Sequence, residues 1–414
     1  MKVVKFIIML CLLMSLSGCW GSRETDEIVY VMAIGIDAGP NENLLYTFQI
    51  ANPRAIAGIT GAGQGAGGGG GERPLINDSI VAKVPIGAFN LLNIKYSREQ
   101  SLLHTNAFVI SEEVARKGLS KFLNPFNRFR ETRGNAFIFI CRGKAKDFIE
   151  KSQPLLEVSP SKQYELREIT SKVHGLTPVM QIWQFYQHSK SKSINPIAPL
   201  VGIGKVKLNE GKKTDPARLG DYLAGQLPSE REEPQFIGGA VFKGDKMVGT
   251  ITGDEVRYLN ILRGNLDRSY LVVPDPVKKG EAVGINLSQA ISPRIKVDLN
   301  GDNPRIKVNV YIEAEIFGIA SGEIYETPDK KAVLEKAVRN LIKEGCERII
   351  KRSQEEFRSD IFGFGRYAKM KFLTQDQWQK YNWTEAYNQS NVAITVNVKI
   401  RRTGLMLKTS SFKG

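Results

Sequence analysis

The first nineteen residues decide where the rest of the chain must fold. Met1 to Lys5 carries two positive charges, Lys2 and Lys5, and the apolar run Phe6 to Met14 follows. Leu16-Ser17-Gly18-Cys19 closes the stretch. A basic start, a short apolar middle and small residues before a cut site read as a secretory signal peptide over residues 1–18. The run is too short to span a bilayer comfortably. Small residues let a peptidase reach the bond before Cys19, and a thiolate is nucleophilic enough to take an acyl chain. Everything after Cys19 is expected outside the cytoplasmic membrane.

Cysteine directly after Leu-Ser-Gly resembles the bacterial lipoprotein signal, which implies a diacylated Cys19 as the first mature residue. Two or three acyl chains would anchor stably, where one binds reversibly. Cleavage leaves 396 of the 414 residues, too many for one modest core and suited to two or three domains. No other stretch approaches eighteen apolar residues, so no second membrane element is expected. The net charge of +15 falls to +13 when Lys2 and Lys5 leave with the signal. Such a surface is attracted to anionic headgroups. Nucleic acid is the other usual partner of positive charge, but an exported chain rarely meets it and no base-reading motif is present. Of four cysteines, Cys141 and Cys346 remain. They are too sparse for a disulfide framework and read as buried thiols.

Residues 19–27 form a short polar tether. Ile28 to Asp37 reads as a nearly apolar central strand. Gly39 to Asn43 has turn chemistry, and Leu44 to Ala51 returns as a strand. The run Gly58 to Gly71 cannot repay the entropy of ordering and reads as a loop. It does not lead into a phosphate-binding Gly-Lys-Ser or Gly-Lys-Thr. Strands at Ile80–Val84, Ala107–Ser111 and Gly134–Cys141 alternate with short helices at Gly87–Ser97, from Glu112, and at Lys144–Ser152. This makes an N-terminal mixed α/β domain over 28–155. A middle domain, 156–275, holds an aromatic helix around Val179–Tyr186 and a strand from Val201 to Leu208. Polar residues Asp221–Gln235, expected to be exposed, precede a tight hairpin over Gly239–Thr250. Thr252 and Glu255 fit a capping box for a helix Asp254–Leu262. Leu271 to Pro276 reads as a boundary. The C-terminal domain, 276–414, has strands at Val283–Ile291, Arg294–Leu299, Ile306–Phe317 and Val392–Ile400. Apolar residues at three-and-four spacing, with Leu341 in the middle, predict a long helix over 329–357. A second helix is expected over Gly365–Phe372. The fold class is α+β, with three mixed α/β domains after the signal.

Catalytic chemistry is not legible. His104, His174 and His188 fit no metal-ligand spacing. No Gly-x-Ser-x-Gly turn links a strand to a helix, and no pair of carboxylates stands out. Neither a catalytic residue, a metal ligand nor a cofactor is assigned. The oddest motif after the signal is Asp360-Ile361-Phe362-Gly363-Phe364-Gly365. Its glycines point to positive φ or close approach. Asp360, Phe362, Gly363, Phe364 and Gly365 make either a structural turn between helices or a partner contact.

Five segments carry a family resemblance. Gly18-Cys19-Trp20 with Arg23-Glu24 resembles the mature start of the C subunits of spore germinant receptors, the Ger(x)C lipoproteins, although Gly21 stands where many members have Asp. Ala33 to Asp37, Gly143 to Asp147, Gly238 to Phe242 and Asp360 to Gly365 match further, in the family's order. The resemblance implies a three-domain, lipid-anchored protein on the outer face of the spore inner membrane of a Gram-positive spore former. It implies a complex with a multi-spanning A subunit and a transporter-like B subunit, required for nutrient-triggered germination. It supplies no catalytic residues. The competing functions are a substrate-binding lipoprotein of an uptake system, with a cleft between two lobes, and a cell-envelope hydrolase.

Cys19→Ala should abolish acylation and sharply lower the amount of membrane-bound protein. Metabolic labelling with a fatty acid, followed by fractionation, reads this; equal labelling of wild type and variant would refute the anchor.

Overall fold

The computed structural model describes residues 3–6, 27–52, 74–152, 160–208 and 218–406. Cys19, tether residues 19–26, most of the signal peptide and the glycine run 58–71 lie outside the described residues. The fold is α+β, with two mixed sheets.

The first sheet opens with the expected hairpin of β1 (Ile28–Ala38) and β2 (Leu44–Ala51), joined by β3 (Leu75–Ala82). Helix α1 (Pro85–Tyr96) leads to the short β4 (Glu99–Ser101) and then β5 (Ala107–Ser111). Helices α2 (Glu112–Lys117) and α3 (Ser120–Arg128) precede β6 (Phe137–Arg142). Helices α4 (Ala145–Lys151), α5 (Pro160–His174) and α6 (Ile182–Lys190) follow. Strands β7 (Ile197–Ile203), β8 (Pro234–Lys243) and β9 (Lys246–Ile251) complete the sheet, in the order β3-β2-β1-β5-β6-β7-β8-β9 with β4 beside β1.

β1, β5, β6 and β7 run parallel in the middle, and antiparallel pairs close both sides. Parallel strands need cover on both faces, which is why their sequences are apolar runs without alternation. One face packs under Phe89, Val114, Phe122 and Phe185, from α1, α2, α3 and α6. The other packs under Phe148 and Ile149 of α4 and Tyr164 of α5.

Helix α7 (Gly253–Arg263) follows β9 and leads into the second sheet of β10 (Arg268–Pro274), β11 (Ala282–Ser288), β12 (Arg294–Asp298) and β13 (Arg305–Ile319). The chain then forms α8 (Pro328–Glu355), α9 (Phe364–Lys369), α10 (Gln375–Lys380), α11 (Trp383–Asn388) and β14 (Asn391–Arg402). The long β13 pairs with β12 and β11 on one side and, in parallel, with β14 on the other. Its residues alternate: Ile306, Val308, Val310 and Ile312 are buried, while Lys307, Tyr311, Glu313 and Phe317 face out.

Several elements differ from the sequence reading. Leu271–Pro276, read as a boundary, is mostly strand β10. Pro274 is tolerated because it ends an edge strand and removes no ladder bond needed inside the sheet. The strand placed at Ile80–Val84 lies at Leu75–Ala82, because Pro85 begins a helix. The strand placed at Val201–Leu208 starts at Ile197 and stops at Ile203. Within Asp221–Gln235, Tyr222, Ala224 and Gln235 are buried rather than exposed. Helices α5, α10 and α11 were not legible from periodicity. Cys141 and Cys346 are both free and buried, and burial pushes both thiols well above their ordinary range.

Helix α8 matches the expected span closely, with Pro328 in its first turn, where its fixed φ suits a helix start. Its buried line runs through Leu334, Val338, Ile342, Cys346 and Ile349, whereas Leu341 is only half-buried and Val333 is exposed. Ile342→Ala should therefore cost about 2–5 kcal/mol and Leu341→Ala clearly less. Urea unfolding of the two variants checks the order; equal losses would mean that the helix is rotated from this placement.

Candidate contact site

The motif Asp360–Gly365 connects α8 to α9, and all of its residues are buried. Phe362 and Phe364 stack with ring centroids 5.1 Å apart, and Phe364 meets Tyr387 of α11. Asp360 organises the turn. Its Oδ1 accepts the backbone N–H groups of Phe362, Gly363 and Phe364 at 3.1, 2.8 and 3.2 Å. Its Oδ2 accepts from Gly365 at 2.8 Å and from Trp383 Nε1 at 2.9 Å. Four backbone amides and one indole donate to this carboxylate, which satisfies the free amides at the start of α9. Burial pushes the Asp360 carboxyl above its ordinary range, and these hydrogen bonds oppose the shift.

The glycines are required by space and angle. Gly363 has φ of 80°, and a Cβ on Gly365 would lie 2.5 Å from Trp383 Nε1. The loop is also held from outside. Arg263 of α7 donates from Nε to Ile361 O at 2.8 Å. Ser359 Oγ donates to Phe242 O of β8 at 2.7 Å, and Asn195 N donates to Asp360 O at 2.8 Å. None of the five candidate side chains or glycines presents itself to a partner.

The motif places α9, and the outer side of α9 faces a cleft of about 1220 Å³. Lys296, Arg305 and Lys307 form the strand wall, with Tyr367, Met370 and Lys371 across from them. Asp298 is the one carboxylate of the lining. The Asn300 backbone N–H and then the Arg305 guanidinium, 2.7 Å away, hold it below the usual carboxylate range. Lys296 and Lys307 make no ion pair among the described residues, while the Lys371 ammonium acts on Asp298 across the cleft. Unpaired ammonium groups beside aromatic rings attract an acidic or polar partner group. Sequence reading missed this cleft because its basic residues come from β12, β13 and the end of α9. The signal available was the run of cations on the outward positions of β12 and β13.

The other motifs meet in space. Asp37 at the end of β1 accepts the N–H groups of Ala145 and Lys146 at 2.8 and 2.9 Å, so Ala33–Asp37 caps the helix that Gly143–Asp147 begins. Gly238–Phe242 lies in β8, whose Phe242 carbonyl receives Ser359 beside the Asp360 motif. The four motifs thus form two locks, one on each side of the first sheet's last parallel strand. Among the described residues no group of three or more His, Cys, Asp or Glu side chains could hold a metal ion. Among them, no helix is long and apolar enough to cross a membrane.

Residues 21–203 match the sequence model described as the spore germination protein N-terminal domain. Residues 237–404 match the one described as spore germination B3/GerAC like, C-terminal. The chain belongs to the Ger(x)C family of spore germination proteins. Spore germination protein KC of Bacillus subtilis (strain 168) is 26% identical over 420 residues, covering 98% of this chain and 96% of its own. Spore germination protein YndF of the same organism is 24% identical over 421 residues, covering 96% of each. The crystal structure of the GerBC protein aligns with 89% of this chain and 96% of its own, at a TM-score of 0.53 and 15% identity, a likeness of fold.

Asp360→Ala should lower stability by about 3 kcal/mol or more, since it strands several buried donors at once. Denaturant unfolding measures this. A variant as stable as wild type would show that the turn does not depend on its carboxylate.

Proposed function

We propose that the chain is a non-enzymatic lipoprotein subunit of a nutrient germinant receptor at the spore inner membrane, required for nutrient-triggered germination. The observation that carries this is the match of both parts of the chain to spore germination domains, together with relatives aligned over nearly its full length. On this reading Cys19, after Leu16-Ser17-Gly18, takes the lipid and holds the protein to the outer face of that membrane. Residues 1–18 are then the signal and 19–27 the tether. The three regions 28–155, 156–275 and 276–414 follow, and the pairing of β7 with β6 supports treating the first two as one packed body.

Its partners are a multi-spanning A subunit and a transporter-like B subunit, and its work is contact with them. The basic cleft beside α9 supports a contact role, because its unpaired lysines, Lys296 and Lys307, gain most from an acidic partner surface. Deletion of the chain should abolish nutrient-triggered germination, and Lys296→Glu with Lys371→Glu should lower recovery of the receptor complex while thermal unfolding stays unchanged. Loss of optical density after nutrient addition, and co-purification from spore membranes, measure these. Normal germination of spores lacking the chain, with no related copy present, would overturn the assignment; normal recovery of the double variant would overturn only the role of the cleft.

A further inference from the structure

Helix α1 is apolar on both sides. Ala88, Phe89 and Leu92 pack into the core, where Phe89 meets Phe48 and Phe126. Ile86, Leu91 and Ile94 lie on the outer side and are 52%, 48% and 76% exposed. A helix apolar all round is stable where both faces are covered. Here the described chain covers one. At the edge of the same sheet Ile76 of β3 is also exposed.

The position of this face says what covers it. α1 ends at Tyr96 and leads through Ser97 and Arg98 into β4, which pairs in parallel with Ile28–Tyr30. Those are the first strand residues after the tether. Eight residues, 20–27, separate Cys19 from Ile28, a reach of at most about 30 Å. The carboxyl end of α1 is therefore built onto the strand that the anchor holds near the bilayer. Basic residues stand around the apolar face: Lys83 before the helix, Arg98 after it, and Lys95, which is paired with Asp78. Glu99 is exposed beside Arg98, so the free cations stand at the two ends of the face, and an apolar surface ended by cations suits the boundary between headgroups and acyl chains of an anionic bilayer.

We propose that the outer face of α1 is a membrane-docking surface, which sets Ile86, Leu91 and Ile94 into the interface of the bilayer that Cys19 anchors. This rests on the lipoprotein reading of Cys19. It adds an orientation: the lipid fixes the distance, and α1 fixes which side of the first sheet faces the membrane.

The test uses the full acylated chain, reconstituted in vesicles of phosphatidylethanolamine and phosphatidylglycerol without any partner subunit. Ile94→Cys carries an environment-sensitive fluorophore, and Leu373→Cys, at a residue 94% exposed beside α10, serves as the control. Cys141 and Cys346 are buried and should not compete for the label. The Ile94 probe should shift to the blue and be quenched several-fold more than the Leu373 probe by nitroxide on the lipid chains. Protein that floats with the vesicles while both probes stay in water overturns the docking surface and leaves the anchor standing; such a face would belong to a protein partner. Protein that does not float overturns the anchor, and the docking surface with it.

Discussion

The structure depends on a helix that has almost no surface. α7 is buried along ten of its residues, Gly253 to Leu262, and joins the last strand of the first sheet to the first strand of the second. A buried helix with charged residues must pair each of them, because an unpaired buried charge costs several kcal/mol. Arg257 meets Asp254 at 2.5 Å, then reaches β10 through Ser269 Oγ at 2.9 Å and Tyr270 O at 3.2 Å. Glu255 takes both oxygens to Arg352 of α8, at 2.7 and 2.6 Å, and its Oε2 also accepts Thr252 N–H. Arg263 closes the far end on Ile361. These pairs add little net stability over an apolar core, but each admits one geometry. They tie α7 to β10, to α8 and to the turn before α9.

Close packing reinforces the same junction. Gly345 of α8 lies against Tyr258 of α7, where a Cβ would sit 2.3 Å from the ring. The two matched family domains do not divide the molecule as their ranges suggest. The first ends at 203, the last residue of β7, and the second begins at 237, inside β8. Yet β7 and β8 are paired neighbours in one sheet, from Ile197↔Val241 to Ile203↔Pro234. The β7–β8 pairing crosses the division, so the first sheet draws strands from both matched ranges.

What the sequence disclosed follows from local physics. β5 and β6 were legible as unbroken apolar runs because both faces of a parallel strand are covered. α8 was legible because its apolar residues keep one phase over many turns. That phase was read one residue early, at Leu341 instead of Ile342, since both are apolar and only the neighbouring sheet distinguishes them. Gln235 illustrates the opposite case. It looked like one more polar loop residue, but its Oε1 accepts Gly225 N–H at 2.9 Å and Leu227 N–H at 3.1 Å, so it holds the loop from inside. Asp360 stood out by its glycine and phenylalanine neighbours, but its role as a hub requires Trp383, which only folding brings to it. The basic cleft was invisible for the same reason.

On the proposed reading of Cys19, a body joined to a membrane by a short chain would have a particular advantage in assembly. Surface charge is screened over roughly 8–10 Å in physiological salt, so loose basic charge cannot draw a partner from a distance. Anchoring removes that need by raising the effective concentration of one subunit beside another. The contacts can then be individually modest, provided that they are held in the right orientation. α7 and its ion pairs supply orientation within the molecule. The Asp360 turn supplies it locally, by fixing α9 and hence Tyr367 and Lys371 at the cleft. The most distinctive motif of the chain thus lies inside the protein, and the surface it positions is assembled from ordinary residues.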